Sequence, residues 1–237
     1  MMTYLGDFEV RIEKNDYPGF LKLWEEYCYS DEFEAEEFKK ILQKSLASPL
    51  SHPFGKHVEK GVILWKKILD SKDSHDVLKL IFQIQTTHSN SLFEMAIDYL
   101  KNAYPNDPLF QEKLRIIGLR PGEPFQGAIS NYELLTHMKK GAFVYHKGGW
   151  GASEILDISL IREELALECE HVAGTKHLSF SNAFKTLIPL PSTHYLARRF
   201  GDPDLLERQA KENSTEIIRT LLIDLGPKTA AEIKEEL

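Results

Sequence analysis

Cysteine is nearly absent from this chain: Cys28 and Cys169 are the only two in 237 residues, far apart and without motif spacing. That excludes a disulfide framework and fits a reducing cytosol. Glycine and proline, 14 and 11, are too few for a collagen-like or low-complexity chain. Long hydrophobic runs are missing as well. The most apolar stretch, residues 61–69, is far shorter than a bilayer span and is interrupted by lysines. The first ten residues carry Asp7 and Glu9 where a signal peptide would place a basic segment and an apolar run. The expectation is a soluble, cytoplasmic chain with no membrane partner. Positive charge is also short: 29 Lys and Arg against 36 Asp and Glu leave a formal charge of −7. Bulk electrostatics therefore does not draw the chain to DNA, although a local basic patch could.

What is present is enough apolar material, 42%, to build a packed core. Residues 1–120 read as successive short helices forming a repeat-like helical array. Asp16 and Pro18 open one, with Phe20, Leu21, Trp24 and Tyr27 as its apolar face; Ser30 and Asp31 open the next. A third runs over residues 53–69 and a fourth starts at Ser74. Ser91 with Glu94 forms a capping box, and Asp107-Pro108 opens a helix that Gly118 closes. Leu23-Trp24 and Leu64-Trp65 give a faint repeat echo. Residues 121–139 read as a linker, Pro121-Gly122-Glu123-Pro124, and a short helix capped by Ser130 and Glu133.

Helical periodicity then stops. Residues 142–146, 153–158, 164–169, 177–180 and 186–190 read as short strands, the third alternating Leu165, Leu167 and Cys169 against Glu164, Ala166 and Glu168. Strands this short, with glycine turns between them, predict a small SH3/Tudor-like β-barrel over residues 140–191. Residues 192–237 return to helices, with Ser192 and Asp202-Pro203 as starts and a capping box at Thr229 and Glu232. That last signal comes so near the end that the segment reads as truncated. The fold class expected is α+β: an all-α array, a barrel and a short C-terminal helical segment.

Catalytic and metal chemistry find no recognisable frame. Cys169, His171, His177 and His146 come nearest to ligand spacing, but paired short spacings such as C-x-x-C or H-x-x-x-H are missing. There is no nucleophile elbow, and Gly148-Gly149-Trp150-Gly151 lacks the phosphate-loop frame and reads as a hairpin turn with an aromatic plug. The acidic runs at 31–37 and 163–170 read as a helix start and a solvated face. No enzyme, metal or cofactor is expected. Two basic features remain: Lys139, Lys140 and Lys147 around the first strand, and Arg198-Arg199 beside Tyr195 and Phe200.

Two resemblances bear on these residues. The stretch from Lys140 to Ile155, with its Gly141, the β run ending at His146 and the glycine turn, resembles the opening of the RNA-polymerase-interacting domain of CarD and the transcription-repair coupling factor; Lys147 stands where that family commonly has proline. This likeness implies a Tudor/SH3-like barrel that pairs with the polymerase β subunit. The second is longer. Leu23-Trp24-Glu25-Glu26-Tyr27-Cys28, Phe125-Gln126-Gly127-Ala128-Ile129-Ser130-Asn131-Tyr132, Leu187-Ile188-Pro189-Leu190-Pro191-Ser192, Arg198-Arg199-Phe200-Gly201-Asp202-Pro203-Asp204 and Asp224-Leu225-Gly226-Pro227-Lys228 are similar to the long N-terminal extension of chlamydial-type members of the GreA transcription elongation factor family. Gre factors use a coiled coil whose acidic tip helps hold magnesium for RNA cleavage. No heptad-patterned hairpin occurs here, so that chemistry attaches to none of these residues.

The resemblances imply a non-catalytic module that tethers an elongation factor to RNA polymerase through an edge strand of the barrel. Phe143, Tyr145 and Trp150 are the expected contacts and Lys140 and Lys147 the steering charges, with alternation expected to bury one of Phe143 and Tyr145. Two other readings stand beside it: a helical scaffold that binds another protein or peptide, and a nucleic-acid accessory touching DNA or RNA in the transcription complex through Lys139, Arg198 and Arg199.

Overall fold

In the computed structural model, which describes residues 4–236, the chain divides between Tyr132 and Glu133 into two compact units. The first is helical. It comprises α1 (Tyr4–Glu13), α2 (Tyr17–Cys28), α3 (Ala35–Leu46), α4 (Ser51–Phe54), a 3₁₀ turn at Val58–Gly61, α5 (Val62–Trp65), α6 (Ser71–Ile84), α7 (Asn90–Ala103) and α8 (Phe110–Ile116). α9 (Ala128–His137) runs across the division.

Local chemistry sets the helix starts. The Asp16 carboxylate accepts from the Gly19 N–H at 3.0 Å and Pro18 sits in the first turn of α2. Asp70 accepts from Lys72 and Asp73 to open α6, three residues before the Ser74 start expected. The helix expected over 53–69 breaks into α4, the 3₁₀ turn and α5. The core is aromatic: Phe8, Phe20, Trp24, Tyr27, Phe38 and Phe54 are all buried. Trp24 meets Phe54 edge-on at 4.8 Å and stacks near Phe38 at 6.0 Å, while its indole N–H donates to His57 O at 3.1 Å. A side chain at Gly61 would press on the Trp24 ring at 3.0 Å, so glycine lets the 3₁₀ turn approach this core.

The second unit holds β1 (Phe143–His146), β2 (Gly151–Ser159), β3 (Glu164–Cys169), β4 (Val172–Ser179), α10 (Phe180–Thr186), β5 (Leu187–Leu190), α11 (Tyr195–Gly201), α12 (Pro203–Glu212), α13 (Ser214–Leu225) and α14 (Ala230–Glu236). The five strands form one sheet in the order β4-β3-β2-β1-β5, with every neighbouring pair antiparallel.

The sheet is open, which overturns the expected SH3/Tudor-like barrel and with it the resemblance to the CarD-type domain. Closure would need a ladder between β4 and β5, and they lie at opposite edges with α10 as their connection. β5 is also poorly made for a second ladder. The Lys147 N–H donates to Thr186 O, so ladder alternation turns the Pro189 nitrogen, opposite Val144, away from β1. That outer side has no N–H to offer at Pro189. The free edges are therefore β4 and β5, and β1 is an interior strand. Pairing of a partner along Phe143–His146 is excluded by the neighbours on both sides.

One sheet face carries Phe143, Tyr145, Ala152 and Leu190 against Leu196, Ala197 and Phe200 of α11. Tyr195, Leu206, Ile217 and Leu221 form a further cluster that joins α11, α12 and α13, with Ile233 of α14 against it. Asp202 and Asn213 cap α12 and α13. The Thr229–Glu232 capping box forms at α14, with Thr229 N–H donating to the Glu232 carboxylate at 2.7 Å.

Candidate interaction site

Four glycine-rich residues, Lys147-Gly148-Gly149-Trp150, turn β1 into β2. Gly149 and Gly151 adopt φ of +90° and +76°, a region that other residues enter at a cost. His146, the last residue of β1, is buried, and Trp150 lies flat on it with ring centroids 4.1 Å apart and planes 8° from parallel. The Gly148 N–H donates to His146 Nδ1 at 3.1 Å. A Cβ at Gly148 would come within 2.7 Å of the His146 ring, so only glycine lets the turn fold over the imidazole. Burial pushes the His146 pKa below its ordinary value, which keeps Nδ1 free to accept.

Beside this turn the β3–β4 connection packs onto the start of β2. The His171 N–H donates to Trp150 O and the Glu170 N–H to Ala152 O. A side chain at Gly151 would strike His171 and Glu170, at 2.7 and 2.8 Å. Glu170 then begins a chain of charges. Its Oε1 accepts from Arg199 at 2.7 Å and its Oε2 from the Ala152 N–H at 3.1 Å. Arg199 also pairs with Glu236, whose other oxygen lies 3.1 Å from Lys228 Nζ. The Tyr195 hydroxyl donates to the Glu236 carbonyl. These groups border a cleft of about 550 Å³ whose apolar wall includes Tyr145, Ile188, Leu190 and Leu196.

The residues singled out from sequence all fall in the second unit but do not converge on one surface. Lys139 and Lys140 are exposed ahead of β1, and Lys147 is exposed beyond its other end. Phe143 and Tyr145 are two residues apart, so the pleat puts both on the same face, and both are half-buried with α11. The expectation that alternation would bury one and expose the other is corrected by that spacing. Phe143 meets Phe200 edge-on at 6.4 Å and would collide with any side chain at Gly201, so it serves the fold. Arg198 donates to Gln209 Oε1 at 2.6 Å, and Arg199 is held between two carboxylates. Trp150 keeps part of its surface in solvent.

Sequence reasoning passed over His146 as a support for Trp150, and Glu170, Lys228 and Glu236 as a set. The His146–Trp150 spacing across a glycine turn is a signal that a hairpin register could have used. The charge chain had none, because its members meet only through tertiary folding.

Fold and site together define an α+β chain with an ordered, partly exposed turn and a charge-bordered cleft. Among the described residues no cluster of three or more His, Cys, Asp or Glu could hold a metal ion, and no helix is long and apolar enough to cross a membrane. No family model matches the chain, and no solved structure does. Among curated proteins, transcription elongation factor GreA of Chlamydia pneumoniae is 46% identical over 236 residues, covering 100% of this chain and 33% of that protein. The GreA of Chlamydia trachomatis serovar D is 40% identical over 236 residues, with the same coverage. The chain spans about a third of the length of the curated relatives it matches.

Proposed function

We propose that this chain is a non-catalytic module of a transcription elongation factor and that it tethers the factor to RNA polymerase by protein–protein contacts. The observation that carries the reading is the likeness to two GreA proteins over the whole chain. The contact surface we assign to it is the end of the sheet where Trp150 and Lys147 stand, with Lys139 and Lys140 steering from the other end of β1. Phe143 and Tyr145 contribute by shaping the sheet under α11. A nucleic-acid role is less well supported, because Arg198 and Arg199 are engaged within the fold.

The test is a titration of the full chain against core RNA polymerase, followed by interferometry. Saturable binding that survives moderate salt supports the tether. Absence of binding, alongside strong salt-sensitive retention on single- or double-stranded nucleic acid, would replace it with the nucleic-acid reading.

A further inference from the structure

The β1–β2 turn is more firmly built than a connection needs to be. Trp150 is stacked on a buried ring, that ring is bonded to the turn's own backbone, and glycine is required at Gly148 for the two to fit. The result is a large aromatic side chain held in one place with part of its surface in solvent. Its indole N–H donates to no group among the described residues. An aromatic fixed in advance loses little freedom on binding, which is the property of an interface anchor.

The charge around it has one sign to spare. The Lys147 N–H bonds to Thr186 O, which brings the start of β5 and the end of α10 alongside and with them Lys185. Lys147 and Lys185 are both exposed and neither makes an ion pair among the described residues. The nearby carboxylate of Glu170 is already used by Arg199 and by the Ala152 N–H. His171 lies 3.7 Å from the same carboxylate.

We infer that the Lys147–Trp150 turn is a pre-organised anchor for a carboxylate-bearing protein surface, with Trp150 as the seated side chain and His146 as the positioning residue beneath it. The partner's acceptor meets the indole N–H, and its acidic rim meets Lys147 and Lys185. Nucleic acid fits less well. Two lysines do not make a track for a phosphate backbone, Arg198 and Arg199 are engaged within the fold, Lys139 and Lys140 lie beyond the far end of β1, and His146 already covers one face of the indole. The inference rests on the chain being an interaction module and adds the chemistry of the partner.

The experiment uses the full, isotope-labelled chain and a short synthetic peptide of alternating Glu and Leu as probe. Saturable movement of the Trp150 indole N–H and the Gly148 and Gly149 amides is expected. Affinity should fall at least about tenfold in Trp150→Ala and in the Lys147→Glu, Lys185→Glu double variant, with far-UV circular dichroism unchanged. His146→Ala should weaken binding and His146→Phe, which can still stack, should recover most of it; a merely structural His146 would give no such recovery. Shifts located elsewhere, or a double variant that binds like the parent, overturns the anchor. So does a single-stranded oligonucleotide that moves these resonances when the peptide does not. A parallel titration with core polymerase separates the two claims: polymerase binding that ignores Trp150→Ala removes the anchor and leaves the tether, whereas peptide seating without polymerase binding does the reverse.

Discussion

One tryptophan and one charge cluster taken from each unit are used in opposite ways. In the helical unit Trp24 is wholly inside, its ring packed among Phe8, Phe38 and Phe54 and its N–H bonded to a backbone carbonyl. In the sheet unit Trp150 stands on one stacked neighbour, and its N–H donates to no group among the described residues. Two charge clusters contrast in the same way. Lys113 and Asp107 are paired with side chains 11% and 9% exposed, and the Tyr132 hydroxyl donates to the same Asp107 oxygen at 2.8 Å. The chain of Glu170, Arg199, Glu236 and Lys228 keeps about a fifth to a quarter of each side chain in water. The lesson is that residue type alone does not separate packing from recognition. What separates them is whether the polar end of the side chain already has a partner.

The sharpest way to break this contrast is to truncate both tryptophans. Trp24→Ala should cost about 3–5 kcal/mol in a denaturant titration of the full chain, because it empties the middle of the aromatic core. Trp150→Ala should cost clearly less, about 1–2 kcal/mol, as expected of a partly exposed turn residue. Equal losses would make Trp150 a core residue and end its role as an anchor.

Next in size is the buried pair. Desolvation works to raise the Asp107 pKa, but Lys113, the Leu109 N–H and the Tyr132 hydroxyl together outweigh it and hold the carboxyl below its ordinary value. Asp107→Asn should cost about 2 kcal/mol by removing the carboxylate that Lys113, the Tyr132 hydroxyl and the Leu109 N–H share. Because the folded pKa is depressed, the pair stabilises fully above the unfolded carboxylate value and fades only as pH falls through the lower folded one. An Asp107→Asn variant that keeps parental stability at neutral pH would show that the pair is not a clamp.

How much of this could be read beforehand differs between the same regions. The Asp16-Pro18 start, the alternation of β3 and the Thr229–Glu232 box are local signals, and each formed. Capping residues failed where a competing bond was available. Ser89 rather than Ser91 caps α7, since its Oγ reaches the Leu92 N–H, and Ser130 lies inside α9, where its hydroxyl accepts from Gln83. The number of strands was legible, but closure was not. Closure depends on whether the first and last edges meet, and that is a long-range property to which Pro189 and α10 contribute. At the site, Trp150 was visible because its glycine turn is contiguous. Glu170, Lys228 and Glu236 were not, and Arg199 was singled out without its partners, because no local pattern ties the four together.

Smaller effects test the sheet unit by itself. Arg199→Met should cost about 1–2 kcal/mol, and the loss should shrink in high salt because the charge chain is partly in water. Under the same salt the cost of Asp107→Asn should hardly move. Similar salt responses would erase the distinction between buried and solvated pairs.

The smallest predicted effect concerns His146. Its folded pKa is depressed by burial, and its Nδ1 accepts from the Gly148 N–H, so protonation both charges a buried ring and removes an acceptor. The group facing it across the stack is the neutral Trp150 indole; Lys147 follows it on the chain, and the carboxylate of Glu170 is occupied by Arg199 and the Ala152 N–H. A base with a depressed folded pKa contributes stability that is complete above the unfolded value of about 6.5 and is lost as pH falls from there through the folded value. Unfolding midpoints should therefore drop modestly between about pH 7.5 and about pH 5.5, with the slope reduced in His146→Phe. Equal slopes in parent and variant would mean that another histidine sets the pH response and that the stack under Trp150 is indifferent to protonation.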